Sequence, residues 1–307
     1  MLKLDAAMPA KMRRRAWRGN LVSYAMVAPA IAFLMLFVIY PMFHIIDLSL
    51  YKGNATNPYK QFVGLDNFYN IFFVKKDFLE ALKNTALYTG LIVVILIALS
   101  VLFAVWMFED RRLNKIAQTA FFTPHLVASV SCAFIWSWLF NSDPYGLFNT
   151  VLKVFGVAPV NWLGDTRTAM FCIIAMNVWK GIGYYALIIL AALKAIPQEI
   201  YEAARLDNAT KMKTFFKITL PMLSPQIFFL MITITIGSFK VFDSVRLMTG
   251  GGPGTSTQVI SLYIYNYAFQ RNNSLGIGSA AGVVLMAILI LITMMDFKGF
   301  EKRVHYQ

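Results

Sequence analysis

Charge is scarce in this chain. Of its 307 residues, 14% are charged and 58% are hydrophobic. That balance excludes a soluble globular domain and points to a chain that crosses a membrane several times. Cysteine is scarcer still: Cys132 and Cys172 both lie inside apolar runs, which argues against a metal site or a stabilising disulfide and for small buried hydrophobes. Histidine is confined to His44, His125 and His305. With so few nucleophile, base or metal-ligand partners, no constellation for a membrane-embedded hydrolase appears. No Gly-x-x-x-x-Gly-Lys-Ser/Thr loop is present, so the chain lacks a phosphate cradle for a nucleotide. Gly250-Gly-Gly-Pro-Gly254 lacks the lysine and reads as a tight turn. Internal repeats and low-complexity tracts are also lacking. A secondary transporter usually carries an internal repeat and needs a coupling-ion site, and neither is visible.

What is present is a set of six apolar runs, each near the ~20 residues a helix needs to cross a bilayer. They run from about Tyr24 to Ile46, Ala86 to Phe108, Ile116 to Phe140, Ala169 to Leu193, Gln226 to Leu247 and Leu275 to Met295. The first exceeds a signal-peptide core in length, and Pro29 interrupts its Ala-rich candidate cleavage site, so it reads as an uncleaved span. Asp77 to Thr85, ahead of the second run, reads as a separate short amphipathic helix on the outer surface. The fourth run is interrupted by Lys180, Gly181 and Gly183. In the sixth, Gly278 and Gly282 are spaced as a small-xxx-small packing face.

The net charge of +13 invites a nucleic-acid reading, but its distribution argues against one. Lys and Arg number 17 in the tails and loops on one side of the runs, 8 on the other side and 3 within the runs. This is the positive-inside pattern, with lipid as the surrounding partner and both termini in the cytoplasm. The expected fold class is therefore an all-α membrane protein of six transmembrane helices. It divides into a basic cytoplasmic tail over 1–23, a six-helix transmembrane domain over 24–295 and a cytoplasmic tail over 296–307.

One polar insertion, residues 194–224, stands out between the fourth and fifth runs. Pro197 suits a first helical turn, and Glu199 favours the positive end of the helix dipole. Ile200, Ala203 and Ala204 share a helical face. Asp207-Asn208 ends that helix, because Asn tolerates left-handed backbone. Thr210 is placed to cap a second helix with Met212, Phe215 and Phe216 on one side, and Pro221 and Pro225 bend the chain back toward the membrane. An amphipathic hairpin lying on the membrane surface is the bland alternative.

This loop resembles the coupling loop of ABC-importer permeases: Glu202-Ala203-Ala204, then Asp207-Asn208-Ala209, then Ile218-Thr219-Leu220-Pro221. The family usually has Gly at the place of Asn208. Further stretches resemble the carbohydrate branch of that family, the group of the maltose and glycerol-3-phosphate importers. They are Phe62-Val-Gly-Leu-Asp-Asn-Phe68, Ile135-Trp-Ser-Trp-Leu-Phe140, Phe239-Lys-Val-Phe-Asp243 and Thr249-Gly-Gly-Gly-Pro253. The resemblance spans roughly residues 24 to 295. It implies a type I ABC-importer permease fold in a bacterial or archaeal plasma membrane. It implies a heterodimer with a second homologous permease, two copies of an ATPase subunit, and an extracytoplasmic solute-binding protein. ATP and magnesium would bind the ATPase, and this chain would bind no cofactor and catalyse no reaction. Glu202 would anchor the loop in a cleft of the ATPase, Ala203 and Ala204 would allow close approach, and Pro221 would set the angle between loop and span.

Polar side chains inside spans are site candidates by default. His125 and Ser129, at i and i+4 beside Pro124, come from the third run. Asn177, Gly181 and Tyr184 share a face of the fourth, and Ser238 and Val241 come from the fifth. By resemblance these seven align with the sugar-contacting positions of the maltose importer's larger permease subunit. His125 has a second reading, satisfying a carbonyl freed by Pro124. Asn177 and Ser129 have one as interhelical glue, and Tyr184 as packing. Lys180 has no local partner and suits a carboxylate on the partner permease or an acidic substrate group. Asp243 lies three residues from both Lys240 and Arg246, where local ion pairing competes with substrate contact. The function expected is half of the path for a carbohydrate, with glycerol-3-phosphate as runner-up.

Overall fold

The computed structural model describes residues 23–143, 146–270 and 274–300, with side chains described as far as Met295. The expected tails over 1–23 and 296–307 fall largely outside the described residues. Helix dominates, because uninterrupted apolar runs must satisfy their own backbone N–H and C=O groups. Among the described residues the only strands are Tyr51–Lys52 and Gln61–Phe62, paired antiparallel with Tyr51 opposite Phe62. Four helices are long and apolar enough to cross a membrane, or six if each of two bent pairs is one span.

The first crossing helix, α1, is Ser23–Ser49, and its most apolar window has no buried residue. The second, α2, is Lys76–Trp106, 31 residues without a break. It absorbs the separate surface helix expected over Asp77 to Thr85. Phe78 and Ala81 are fully buried with Ile260, Tyr263, Ala280 and Ala281. Thr85 Oγ1 accepts the Ile260 N–H at 2.9 Å, and Asn84 donates to the carbonyls of Thr255 and Gln258. Asn84 and Thr85 thus tie α2 to the chain beyond residue 250, while Glu80 and Lys83 stay exposed.

The third crossing is not one helix. Arg112–Leu126 (α3) and Ser129–Leu139 (α4) meet at a 101° bend. The break falls at Val127 and Ala128, whose ψ angles of 139° and 136° are extended. A short helix, Leu147–Val154 (α5), follows. It is seated by buried Asn149, which donates to the carbonyls of Asn141, Ser142 and Val160 and accepts from Val160 N–H and Trp162 Nε1. The fourth crossing, Ala169–Lys194 (α6), matches its expected bounds and runs straight through Lys180, Gly181 and Gly183. The glycines serve packing: a Cβ on Gly183 would lie 1.9 Å from the Phe121 carbonyl oxygen, so α3 rests directly on the α6 backbone there.

Beyond α6 come Gln198–Leu206 (α7), Lys211–Met222 (α8) and Ser224–Phe239 (α9), the last two bent by 62°. The fifth crossing is shorter than expected. α9 stops at Phe239, and a separate helix, Asp243–Met248 (α10), follows a break at Lys240 to Phe242. Gly250, Gly251 and Gly254 have positive φ, the turn expected of the glycine run. Ile260–Tyr265 (α11) then leads to the last helix, Leu275–Phe300 (α12). Gly278 and Gly282 meet different neighbours rather than forming one seam. A Cβ on Gly278 would meet Ala268 at 2.8 Å, and one on Gly282 would touch Ile45 of α1 at 3.8 Å. Cys132 and Cys172 are free and buried.

Candidate functional site

Two places carry the expected site residues: the polar loop, and a cavity among α2, α3, α4, α6 and the end of α9. In the loop, α7 begins one residue later than expected, so Pro197 flanks the helix with ψ 133° and Glu199 occupies the first turn. The stop is the one anticipated. Asn208 has φ 53°, the only positive φ at a non-glycine among the described residues. Asp207, Asn208 and Ala209 N–H groups close onto the carbonyls of Ala203, Arg205 and Ala204. Thr210 Oγ1 then accepts the Lys213 N–H at 3.3 Å and starts α8. A wide turn over Phe215–Thr219 precedes Pro221, with Leu220 N–H reaching back to Phe215 O. That widening accommodates a residue with no N–H to give.

Glu202, Ala203, Asp207 and Asn208 stand at the surface, Ala209, Leu220 and Pro221 are half-buried, and Ala204 is buried within the chain. The two alanines expected to share one contact face therefore split: Ala203 stays beside Glu202, while Ala204 packs inward. Phe215 is half-buried against the core, with its ring edge-on to that of the exposed Phe216, centroids 5.0 Å apart. Leu206, Met212 and Phe216 are 84%, 66% and 55% exposed. Large apolar side chains so exposed, on a polar loop that also exposes Glu202, have the chemistry of a protein contact.

The cavity has a volume of about 310 Å³. His125 and Ser129 line it from the two sides of the α3–α4 break. Asn177, Lys180 and Gly181 line it from α6, Ser238 from the end of α9 and Val241 from the break that follows. Seven of the eight expected substrate-path residues thus share one cavity wall. Tyr184 does not line it. Its ring lies against the His125 imidazole, centroids 4.2 Å apart and 5° from parallel. Tyr185, one residue on, takes the wall position instead. His125 and Ser129 reach the wall because the helix breaks between them, not because an unbroken helix puts i and i+4 on one face.

Some of the polar groups are already engaged. Asn177 Nδ2 donates to Ile173 O at 2.9 Å and to Ser244 Oγ at 3.0 Å, and Ser238 Oγ donates to Ile234 O at 2.6 Å. Lys180, without a partner on its own helix, finds partners on α3 and at its end: its Nζ lies 3.4, 3.0 and 2.5 Å from the carbonyl oxygens of Pro124, His125 and Val127. This ammonium, and not the His125 ring, meets the carbonyls at the broken end of α3. The expected pairing of Asp243 with Lys240 and Arg246 is not formed. Among the described residues the ion pairs are Arg111–Glu109 and Lys115–Asp110. Lys240 is separated from Asp243 by the helix break, so helical spacing does not apply to them. Arg246 lies over the Tyr265 and Phe242 rings, 4.2 and 5.5 Å from their centroids. Lys240 and Asp243 both line the cavity.

Sequence reasoning missed Tyr88, Tyr185, Phe242 and Ser244, which also line the wall. A signal existed for Tyr88. Thr85, Tyr88 and Thr89 form a buried polar stripe at helical spacing on an otherwise apolar span.

Residues 96–306 match the family model described as "binding-protein-dependent transport system inner membrane component". The chain is 33% identical to the trehalose/maltose transport system permease protein MalF of Thermococcus litoralis, over 92% of this chain and 94% of that one. It is 31% identical to the sn-glycerol-3-phosphate transport system permease protein of Agrobacterium fabrum, over 96% of this chain and 100% of that one. A chain of the bacterial alginate ABC transporter, solved in complex with alginate pentasaccharide-bound periplasmic protein, superposes with a TM-score of 0.83. It is 26% identical, and the match covers 94% of this chain and 96% of that one.

Proposed function

The chain belongs to the family of binding-protein-dependent transport system inner membrane components, the permeases of ABC importers, and on that premise we propose that it forms half of the translocation path for a neutral carbohydrate. The observation that carries this reading is the composition of the cavity wall. Tyr88, Tyr185 and Phe242 offer aromatic rings, and His125, Ser129, Asn177 and Asp243 offer hydrogen-bonding groups. Rings with scattered donors and acceptors suit sugar hydroxyls. Glycerol-3-phosphate fits less well. A phosphate wants convergent cations, whereas Lys240 shares its wall with Asp243.

On this reading the partners are a second homologous permease, two copies of an ATPase that binds ATP and magnesium, and an extracytoplasmic solute-binding protein. The setting is a bacterial or archaeal plasma membrane with both termini in the cytoplasm. Glu202, Ala203 and the exposed Leu206, Met212 and Phe216 dock on the ATPase, whose closure rocks the spans between inward and outward openings. The unburied flank of α1 faces lipid or the partner permease.

Gentle purification from the native membrane, followed by mass spectrometry, tests the assembly. A second permease and an ATPase in comparable amounts support it, and recovery of this chain alone or as a homodimer overturns it. Uptake by the reconstituted complex from a panel of neutral oligosaccharides, uronate sugars and glycerol-3-phosphate then tests the substrate. Preference for a charged solute overturns the neutral-sugar reading.

A further inference from the structure

We propose that Lys180 is a positioning residue of the translocation path, and not a reader of substrate charge: its ammonium holds the broken end of α3 so that His125 and Ser129 stand on the cavity wall. The proposal rests on the reading of that cavity as the substrate path.

In an unbroken span the carbonyls of residues 124 to 127 would be met by N–H groups one turn ahead. Here the chain leaves the helix at Val127 and turns through 101° before α4 begins. Within a bilayer, carbonyls left by such a break must find donors from the protein. Pro124 O takes the Val127 N–H at 3.3 Å, and Lys180, from 53 to 56 positions away, is the donor to His125 O and Val127 O and shares Pro124 O. The end of α3 is also the negative end of its dipole, where a cation is favoured.

The same turn of α6 holds α3 in two further ways. Gly183 lets the Phe121 carbonyl approach where any Cβ would clash, and Tyr184 stacks on the His125 ring. Lys180, Gly183 and Tyr184 therefore grip the last turns of α3 by backbone carbonyls and by one ring. The two polar residues on either side of the break are thereby fixed at the cavity. An ammonium has three N–H donors, and three carbonyls surround this one. The ammonium is thus engaged by backbone before any carboxylate or phosphate enters the cavity.

The test uses the full complex with its ATPase and binding protein in vesicles, carrying Lys180→Met or Lys180→Arg. Two quantities are read: uptake kinetics for a neutral and a uronate-bearing sugar, and the rate at which a cysteine placed by Ala128→Cys reacts with a water-soluble maleimide. Lys180→Met is expected to lower the maximal uptake of every sugar carried by one common factor, about tenfold, and to speed the labelling of residue 128. Lys180→Arg, which keeps the charge and the donors, is expected to recover uptake to within about threefold. Loss of uptake confined to the acidic sugar, with labelling unchanged, overturns the proposal and makes Lys180 a charge reader. Unchanged uptake and unchanged labelling overturn it as well. If Lys180→Met does not assemble, Lys180→Gln, which keeps two N–H donors without the charge, is read by the same criteria. If the unsubstituted complex carries no sugar, the path reading fails by itself. Labelling then decides the clamp alone: an unchanged rate in Lys180→Met overturns it.

Discussion

Two helices in this chain end in opposite surroundings. α7 ends at an exposed turn, and its closing groups come from its own neighbours: Asn208 in left-handed backbone, three short backbone bonds and the Thr210 cap. α3 ends between two halves of a membrane span. There, beyond one local bond from Val127 N–H to Pro124 O, the donor is Lys180, which comes from another helix more than fifty positions away. Water can satisfy whatever the α7 turn leaves open. Hydrocarbon satisfies nothing, so the α3 end needs a long polar side chain and a close neighbouring backbone. A stop in water is therefore encoded locally, and a stop in the membrane is encoded by a contact.

The comparison can be broken most severely at the membrane end. Gly183→Ala places a methyl group against the Phe121 carbonyl, where backbone cannot yield cheaply. We expect a loss of about 3 kcal/mol or more of stability, read as a fall in the melting temperature of the purified complex. An unchanged melting temperature would mean that α3 does not depend on this approach.

At the exposed loop the same severity should appear in function and not in folding. Glu202→Lys should lower transport-linked ATPase activity by about 30-fold or more, as expected for reversing a charge at a docked contact. The chain should still insert in the membrane and keep its melting temperature. Unimpaired coupling would show that the carboxylate does not dock.

Tyr184→Ala sharpens the contrast at the cavity. Removing the ring that supports His125 should lower substrate uptake by about three- to tenfold, the range of an aromatic stack, without dissociating the complex. Uptake equal to that of the unsubstituted protein would mean that His125 needs no support. The smallest effects belong to the exposed turn. Asn208→Val should cost about 1 kcal/mol, because a β-branched residue resists positive φ. Asn208→Gly should be neutral within a few tenths of a kcal/mol. Differential melting of the two variants checks both. A neutral Asn208→Val would show that the turn is not held in left-handed backbone.

Much of the cavity wall was legible before the structure. His125, Ser129, Asn177, Gly181 and Ser238 stood out as polar or small residues within apolar runs, Lys180 as a charge with no local partner, and Val241 through the resemblance alone. The wall's aromatic members were harder to see. For Tyr88 the local signal is its helical spacing with Thr85 and Thr89, and its place on the wall follows only from packing. Tyr184 and Tyr185 are neighbours in sequence, and only the packing of His125 decides which of them faces the cavity. Asp243 misled, because i, i+3 spacing from Lys240 implies ion pairing only if the helix is continuous, and it breaks at Lys240 to Phe242.

By itself the sequence determined the membrane class, the number of apolar runs, the position of the one polar loop and the chemistry of its turn. Each depends on composition or on residues within about two helical turns of one another. Tertiary structure alone decided where the runs break, that Asp77 to Thr85 extends α2, that Ala204 faces inward and that Lys180 belongs to the end of α3. In each case the deciding partner is distant in the chain or a buried backbone group, and no local pattern of side chains records it.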